Sequence, residues 1–512
     1  MRTVAGKGHI AIFINILFAL SISLAGVSSA QERPRPAVLQ GVPQVAPNAS
    51  AADETTPLAV PTDLVQARPG GITSDQVGAR AAATSWSAKA SEESLRGAAA
   101  RVDQAWASFL PRLSGVARYT RLSDFSPPSF GTGSLVGTLA SPGTPVTCTA
   151  PNTCLGVGLT FPIIVDNWLL QATINVPISD YFLRIDENYT AATRSQDAAR
   201  WDVIGARATA SANGKVAYYT WLRARGAVIV AIQALNDQRT HLRDARNQFA
   251  VGNASRADVL RAETAVASAD LALEQAKNLS NLSEKQVRVA IHSGDDAPLL
   301  PGEDLETPVP PMPGNPKQML AEALSGRPEI KSADENAKSA RHQAAVARAG
   351  YYPSLSAFAD GIYANPNPRY VPAKDLWFAT WDVGAQLTWS PNDTVVAVGA
   401  GADADSRAAA IEANKNNVRD GIEVEVTQTW QDVHQADFAI ESGTRELASA
   451  AEAYRVAREL FNNGRGTSTT LTDAETDLTR ARLDVLNAKA DARIARIRLE
   501  HALGRDAKAP AP

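Results

Sequence analysis

The chain is poor in the residues that build chemical sites. Among 512 residues there are two cysteines, three methionines and six histidines. The histidines are scattered, and no Cys/His spacing matches a zinc site. Neither a metal nor a cofactor is expected. An excess of positive charge is missing too: 50 Lys and Arg against 54 Asp and Glu leave a formal charge of −4, which removes the electrostatic basis for binding nucleic acid. After the first 30 residues no run offers the ~20 consecutive apolar residues that a membrane-spanning helix needs. Any membrane crossing by the mature chain must therefore use strands. Proline is absent between Pro177 and Pro298, which leaves a long span free to be helical.

Residues 1–30 have the pattern of a cleaved secretory signal: Arg2 and Lys7, an apolar run from Ile10 to about Val27, then Ser28, Ser29 and Ala30. The mature chain is expected to start at Gln31. Because that residue is not a cysteine, lipid anchoring is not indicated. Export would place Cys148 and Cys154 where disulfides persist, so a bridge between them is expected, with two free thiols as the alternative. Residues 31–72 are rich in Pro, Ala and Gln without apolar periodicity and read as a poorly ordered or surface-draped arm.

The most informative stretch, Phe249 to Lys277, occurs twice. An offset of 212 positions lays it without a gap on Phe461 to Lys489, with identities that include Gly252/Gly464, Glu263/Glu475 and Leu271/Leu483. Each copy reads as a helix end, a glycine turn and a new helix. Two halves follow, 73–294 and 317–504, joined by the proline-rich linker 295–316 and followed by a tail, 505–512. In each half a helix precedes a strand. Ser74 to Leu110 looks helical up to Pro111, and Lys317 to Gly350 is helical with an interruption at Arg327-Pro328. The strand starts Pro111-Arg112-Leu113-Ser114 and Pro353-Ser354-Leu355-Ser356 then echo each other. Trp168 to Ile178 and Ala379 to Trp389 alternate apolar with polar residues, the period of a half-buried strand. Pro353 follows Pro111 by 242 positions but Trp381 follows Trp168 by 213, so the first hairpin loop is 29 residues longer; it carries both cysteines.

Four strands cannot close a barrel, and an open half-apolar sheet would aggregate at its edges. Trp168, Trp377, Trp381, Trp389, Tyr351 and Tyr352 stand at or near strand ends, as interfacial aromatic girdles do. Several copies sharing one barrel would remove the edges. The helices after the turns carry seams at 3/4 spacing. In the second copy these are Leu471, Ala474, Leu478, Ala481, Val485, Ala488, Ala492, Ala495, Leu499 and Ala502, with a second stripe at Leu483, Leu486, Ala490, Ile494 and Ile497. Two seams suit a ring of helices, each with neighbours on both sides.

In these features the chain resembles the TolC family of outer-membrane efflux proteins. The carriers are the duplicated plan, the paired strand starts, Arg327-Pro328-Glu329-Ile330, and the turns Val251-Gly252 with Asp258-Val259-Leu260 and Phe461 to Gly464 with Asp473-Ala474. The resemblance implies an α+β membrane protein. Its homotrimer would form a 12-stranded β-barrel, four strands per chain, in the outer membrane, continued into the periplasm by an α-helical coiled-coil barrel. It implies a passive exit channel for a tripartite efflux or type I secretion system, with a periplasmic adaptor and an inner-membrane pump as partners and no chemistry of its own. By the same resemblance Val251, Gly252, Asn253, Ser255, Gly464, Gly466 and Thr467 are adaptor-docking positions, and Asp258 and Asp473, with Phe461 and Arg465, belong to the periplasmic constriction. The second tip departs from the family pattern at Thr470, Phe461 and Gly466. Arg465 is the expected cation partner of Asp258, and the expected closed state is a loose one with a weak acidic ring.

The competing signals are weaker. Val395 to Ala404 fits a G-x-G-x-x-G/A spacing at Gly399, Gly401 and Ala404. Asp403 and Asp405 would stand where a pyrophosphate must sit, so the glycines are read instead as the turn from strand into helix. His292 to Asp296 is read as a helix end, and Glu425 and His434 as solvated or lumen-facing. No triad or carboxylate pair stands out, and an enzyme is not expected. The alternative of another class is a periplasmic coiled-coil adaptor or structural protein without a barrel.

Overall fold

Hydroxyl and amide side chains set most helix starts, and glycines and prolines set the ends. The computed structural model describes residues 58–59, 66–124, 163–295, 297–311 and 314–507. The signal segment, most of the arm, the cysteine pair and the last residues of the tail lie outside the described residues. In chain order the elements are α1 (Ser74–Thr84), α2 (Trp86–Ala107), β1 (Arg112–Arg121), β2 (Asp166–Val176), a single turn α3 (Ile178–Asp180), α4 (Asp186–Ala250) and α5 (Arg256–Ala290). There follow α6 (Pro316–Gly326), α7 (Pro328–Arg348), β3 (Ser354–Asn365), β4 (Phe378–Thr388), α8 (Pro391–Asn462) and α9 (Ser468–Ala502). At ~1.5 Å per residue α4 and α8 are each about 100 Å long.

Three expectations need correction here. Residues 74–110 are not one helix, because Ser85 adopts an extended ψ of 130° and its hydroxyl caps a new helix, accepting from the Ala88 N–H at 3.5 Å. Gly399 and Gly401 do not turn strand into helix. That turn lies earlier, at Ser390, whose hydroxyl caps α8, with Pro391 at the first helical position, where no N–H is needed. Gly401 is buried inside α8 against the Tyr351 ring, which leaves no room for a Cβ. Tyr351 is therefore engaged within the chain, whereas Tyr352, Trp168, Trp377, Trp381 and Trp389 are exposed. Third, Glu425 is not simply solvated. Its carboxylate accepts from the buried guanidinium of Arg327, which also donates to Glu329 at 3.1 Å where α6 gives way to α7. His434 lies edge-on to Trp430, with ring centroids 4.3 Å apart. His292 does terminate a helix: it follows the C-cap of α5 and has a positive φ of 50°.

The four strands form one antiparallel sheet in the order β1-β2-β3-β4. The register sorts its faces. Leu113 opposes Ile174, Leu170 opposes Tyr363, and Ala359 opposes Val383; on the other face Thr173 opposes Asp360 and Asp360 opposes Asp382. The apolar face is open within the chain: Leu170 is 47% exposed, Val383 69% and Trp381 77%. β1 and β4 are edges with no further strand among the described residues.

The seams of α9 are where the spacing puts them. Leu471, Leu478, Ala481, Val485, Ala488, Ala492, Ala495, Leu499 and Ala502 are buried, and Ala474 is half-buried. Ala492, Ala495 and Leu499 join Ile422, Val426, Val433 and Ala436 of α8 in one core. The second stripe meets α4: Leu486 packs beside Tyr218, Trp221 and Leu222, and approaches so closely at Gly226 that a Cβ there would lie 2.5 Å from it. α5 differs, for it packs on α4 and leaves Leu260, Leu271, Leu279, Leu282 and Val289 exposed. The arm is anchored at both of its described stretches: the Leu58 backbone N–H and C=O bond both ends of the Asn236 side-chain amide on α4, at 2.6 and 2.7 Å, and the Arg68 and Ile72 N–H groups bond Pro301 O and Leu300 O, each at 2.9 Å.

Candidate functional site

Both long hairpins reverse through a residue that only glycine adopts without strain. Gly252 has φ of +81° and Gly464 of +68°, and each closes the preceding helix, its N–H bonding Phe249 and Phe461 O at 3.0 Å. The next helices are capped by hydroxyls. At the first tip the Asp258 N–H donates to Ser255 Oγ at 3.2 Å, while the Asp258 carboxylate accepts from the Ser255 N–H at 2.9 Å and from its hydroxyl at 2.6 Å. This is a complete capping box. At the second tip the Thr470 N–H donates to Thr467 Oγ1 at 3.2 Å, and the Thr467 and Thr470 hydroxyls are 2.8 Å apart. The tips touch each other. Gln248 Nε2 donates to Asn462 O at 2.8 Å, and Asn253 Nδ2 donates to Gln248 Oε1 at 3.1 Å.

The candidate residues thus separate into groups. Val251, Gly252, Asn253, Ser255, Gly464, Arg465 and Thr467 are exposed at the tips, and Gly466 is half-buried, its N–H bonded to Leu460 O at 3.0 Å. Asp258 is tied down by its cap. The Ser255 hydroxyl, then the Ser255 N–H and the nearby Arg261, hold its carboxyl below the usual carboxylate range. Its cation partner in the chain is Arg261 at 3.4 Å, so Arg465 does not take that role here. Phe461 is 5% exposed and faces inward to Leu242, Ala245, Val259, Ala262 and Leu471, a core shared by all four hairpin helices. Asp473 is exposed. With Leu260, Arg261, Thr264, Thr469 and Thr472 it lines a groove of about 680 Å³ between α5 and α9.

Sequence reasoning missed a buried polar node under the tips. His241 of α4 and Glu475 of α9 are 2% and 3% exposed, with Nδ1 and Oε2 3.0 Å apart. His241 Nε2 lies 3.3 Å from the Ser468 hydroxyl, and its ring meets Phe461 edge-on at 5.4 Å. Burial pushes the Glu475 carboxyl above the usual carboxylate range, and the His241 contact only partly offsets this. Asp237 adds to that rise, and on the next turns Arg482 pairs with Asp237 at 2.9 Å and Arg458 with Asp244 at 3.5 Å. The only signal in the sequence was the identity Glu263/Glu475.

A description of the outer membrane efflux protein family matches residues 79–291 and 319–505 of the chain. Among curated proteins, the toluene efflux pump outer membrane protein TtgC of Pseudomonas putida is 27% identical over 173 residues, which is 34% of this chain and 33% of that relative. The match thus spans about a third of the relative's length. Among solved structures, the outer-membrane channel OprN superposes with a TM-score of 0.69 at 17% identity, over 84% of this chain and 89% of that one. The outer membrane protein VceC of Vibrio cholerae superposes with a TM-score of 0.66 at 18% identity, over 84% and 96%. The structures speak for the fold and the family description for descent: this chain belongs to the outer membrane efflux protein family, and its place is the outer membrane.

Proposed function

We propose that three copies of this chain form a passive exit duct, the outer-membrane component of a tripartite efflux or type I secretion system. The observation that carries the reading is a sheet with two edges unpaired among the described residues and an open apolar face, built on hairpins whose long arms, α4 and α8, are about 100 Å. One copy leaves β1 and β4 unsatisfied, and three copies supply twelve strands, enough to close a barrel around a bore. The polar face, with Gln171, Thr173, Asp360, Thr380 and Asp382, lines the bore, and the apolar face meets lipid. The exposed α5 stripe then meets the exposed side of the neighbouring copy's α8, where Val424, Phe438 and Val456 stand open.

The hairpin tips form the periplasmic entrance. Val251, Gly252, Asn253, Ser255, Gly464, Gly466 and Thr467 are offered to an adaptor, whose helices fit the groove between α5 and α9. Asp473 is the better candidate for the constriction, since Asp258 spends its carboxylate on its own cap. TtgC is a toluene efflux protein by name; cargo for this chain is left to the pump that feeds it. Stepwise conductance of the purified protein in a planar lipid bilayer is the expected result. A protein that never inserts, and pulls down no adaptor through its tips, would refute the duct.

A further inference from the structure

The loop between β3 and β4 does not project beyond the sheet. It folds back along the polar face of β4, and three contacts in alternate register fix it there. Tyr370 stacks on Phe378 with ring centroids 4.3 Å apart. Asn367, 1% exposed, donates from Nδ2 to Phe378 O at 3.0 Å and to Thr380 Oγ1 at 3.2 Å. Arg369 donates from Nη2 to the Asp382 carboxylate. From Phe378 to Asp382 the loop therefore covers about 14 Å of strand at ~3.4 Å per residue.

The electrostatics at its deepest point explain why it stays. Asp360 and Asp382 stand directly opposite each other on β3 and β4. Like charges in that position repel. Asp360 is satisfied from the β2 side by the Thr173 hydroxyl and by Gln171 Nε2 at 3.1 Å. Asp382 receives its cation from the loop. The tip beyond the latch carries Val371, which is 84% exposed.

We propose that residues 366–377 form a charge-latched lid over the outer mouth of the bore, held by Arg369 on the Asp360–Asp382 pair. The inference rests on the barrel reading above, for it is the barrel that makes the polar face a lumen. The loop lies at the strand ends remote from α7 and α8, which is the outer end of the duct. Three copies would narrow the mouth together, and loss of the latch would free each lid to swing outward.

The test uses whole cells and a thiol below the lid. With Cys148 and Cys154 changed to Ser, Gln386→Cys places a thiol on the polar face beyond Asp382. A membrane-impermeant maleimide is added outside, and the labelling rate is measured. Arg369→Ala is expected to raise the rate by about threefold or more, a modest factor because an ion pair at a wet surface is worth little. Arg369→Lys should restore slow labelling. Arg121→Ala, which breaks an ion pair with Asp166 on the opposite face at the same end, should leave the rate unchanged. Raising salt should speed labelling of the parent and leave Arg369→Ala alone, because screening acts on the latch. Recovery of a detergent-extracted trimer verifies that each variant assembles. Equal rates for Arg369 and Arg369→Ala, both far below that of a free thiol, would overturn the lid and leave the barrel standing. The free-thiol rate in every background would instead overturn the barrel.

Discussion

The two hairpin tips share a turn and differ in what holds them. At the first, Ser255 and Asp258 cap α5 reciprocally, and just above it Arg246 pairs with Glu263 at 3.0 Å across α4 and α5. At the second, Thr467 caps α9 without an acidic partner, and Glu475, the counterpart of Glu263, turns from its own hairpin to His241 of the other. The counterpart of Arg246, Arg458, reaches Asp244 on α4. Beyond the Gln248–Asn462 contact, the cap and ion pair of the first tip lie within its own hairpin, whereas Glu475 and Arg458 of the second reach across to α4. Under the duct proposed above, parting the hairpins at the entrance would have to break the contacts between α4 and the second hairpin.

Substitutions can break or sharpen this contrast. The largest effect is expected from His241→Ala, which leaves the buried Glu475 carboxyl without its hydrogen-bond partner; an unsatisfied buried polar group costs about 1–3 kcal/mol, and the lost ring adds to it. Thermal unfolding in detergent, followed by circular dichroism, measures it. Arg246→Ala, in the half-exposed pair of the first tip, should cost under about 1 kcal/mol by the same assay. Comparable losses from both would erase the distinction.

Next come Gly252→Ala and Gly464→Ala, each forcing a side chain into a left-handed conformation at a cost of about 1–2 kcal/mol. Nothing lies near a Cβ at 252, and only Asn253 Nδ2, 4.0 Å away, lies near one at 464, so the two losses should match. Matched values would show that the turns are equivalent and that the difference lies in the contacts beneath them. The caps should separate the tips again. Loss of a cap costs ~1 kcal/mol, and Ser255→Ala should exceed Thr467→Ala by a few tenths because it also removes a hydroxyl bond to a carboxylate, whereas Thr467 bonds only the Thr470 hydroxyl. Protease nicking at each tip, mapped by mass, reports the local opening.

The smallest effect is a slope. Glu475 has its folded pKa raised by burial, so the stability it contributes is complete below the ordinary carboxylate value and is lost as pH rises through the raised one. Glu475→Gln, which resembles the protonated form, should flatten the pH dependence of the unfolding midpoint over that window. An unchanged slope would mean that the carboxyl is not held protonated by its site.

Much of this was legible in the sequence because it is periodic. The alternation in Trp168 to Ile178 and Ala379 to Trp389 gave two strands within two residues, and the 3/4 spacing after the second turn named the buried side of α9 almost residue for residue. Local chemistry was legible as well, as at Arg327-Pro328 and His292. What could not be read depends on how distant segments meet. His241 and Glu475 are 234 positions apart, and a lone histidine in a charged helix gives no sign of burial. Phe461 occupies a tip position but points into a core that exists only when four helices converge. Gly401 looked like the turn from strand into helix because glycine is permissive, whereas its smallness makes room for Tyr351. Arg369 and Asp382, on a loop and a strand, gave no pattern at all.

The central claim is that the chain is one third of a duct, and the mass of the complex extracted from outer membranes tests it most directly. Extracted in mild detergent and weighed by native mass spectrometry, the protein should carry three copies of the mature chain and dissociate to one on heating. A soluble periplasmic monomer after cleavage of the signal would contradict the account.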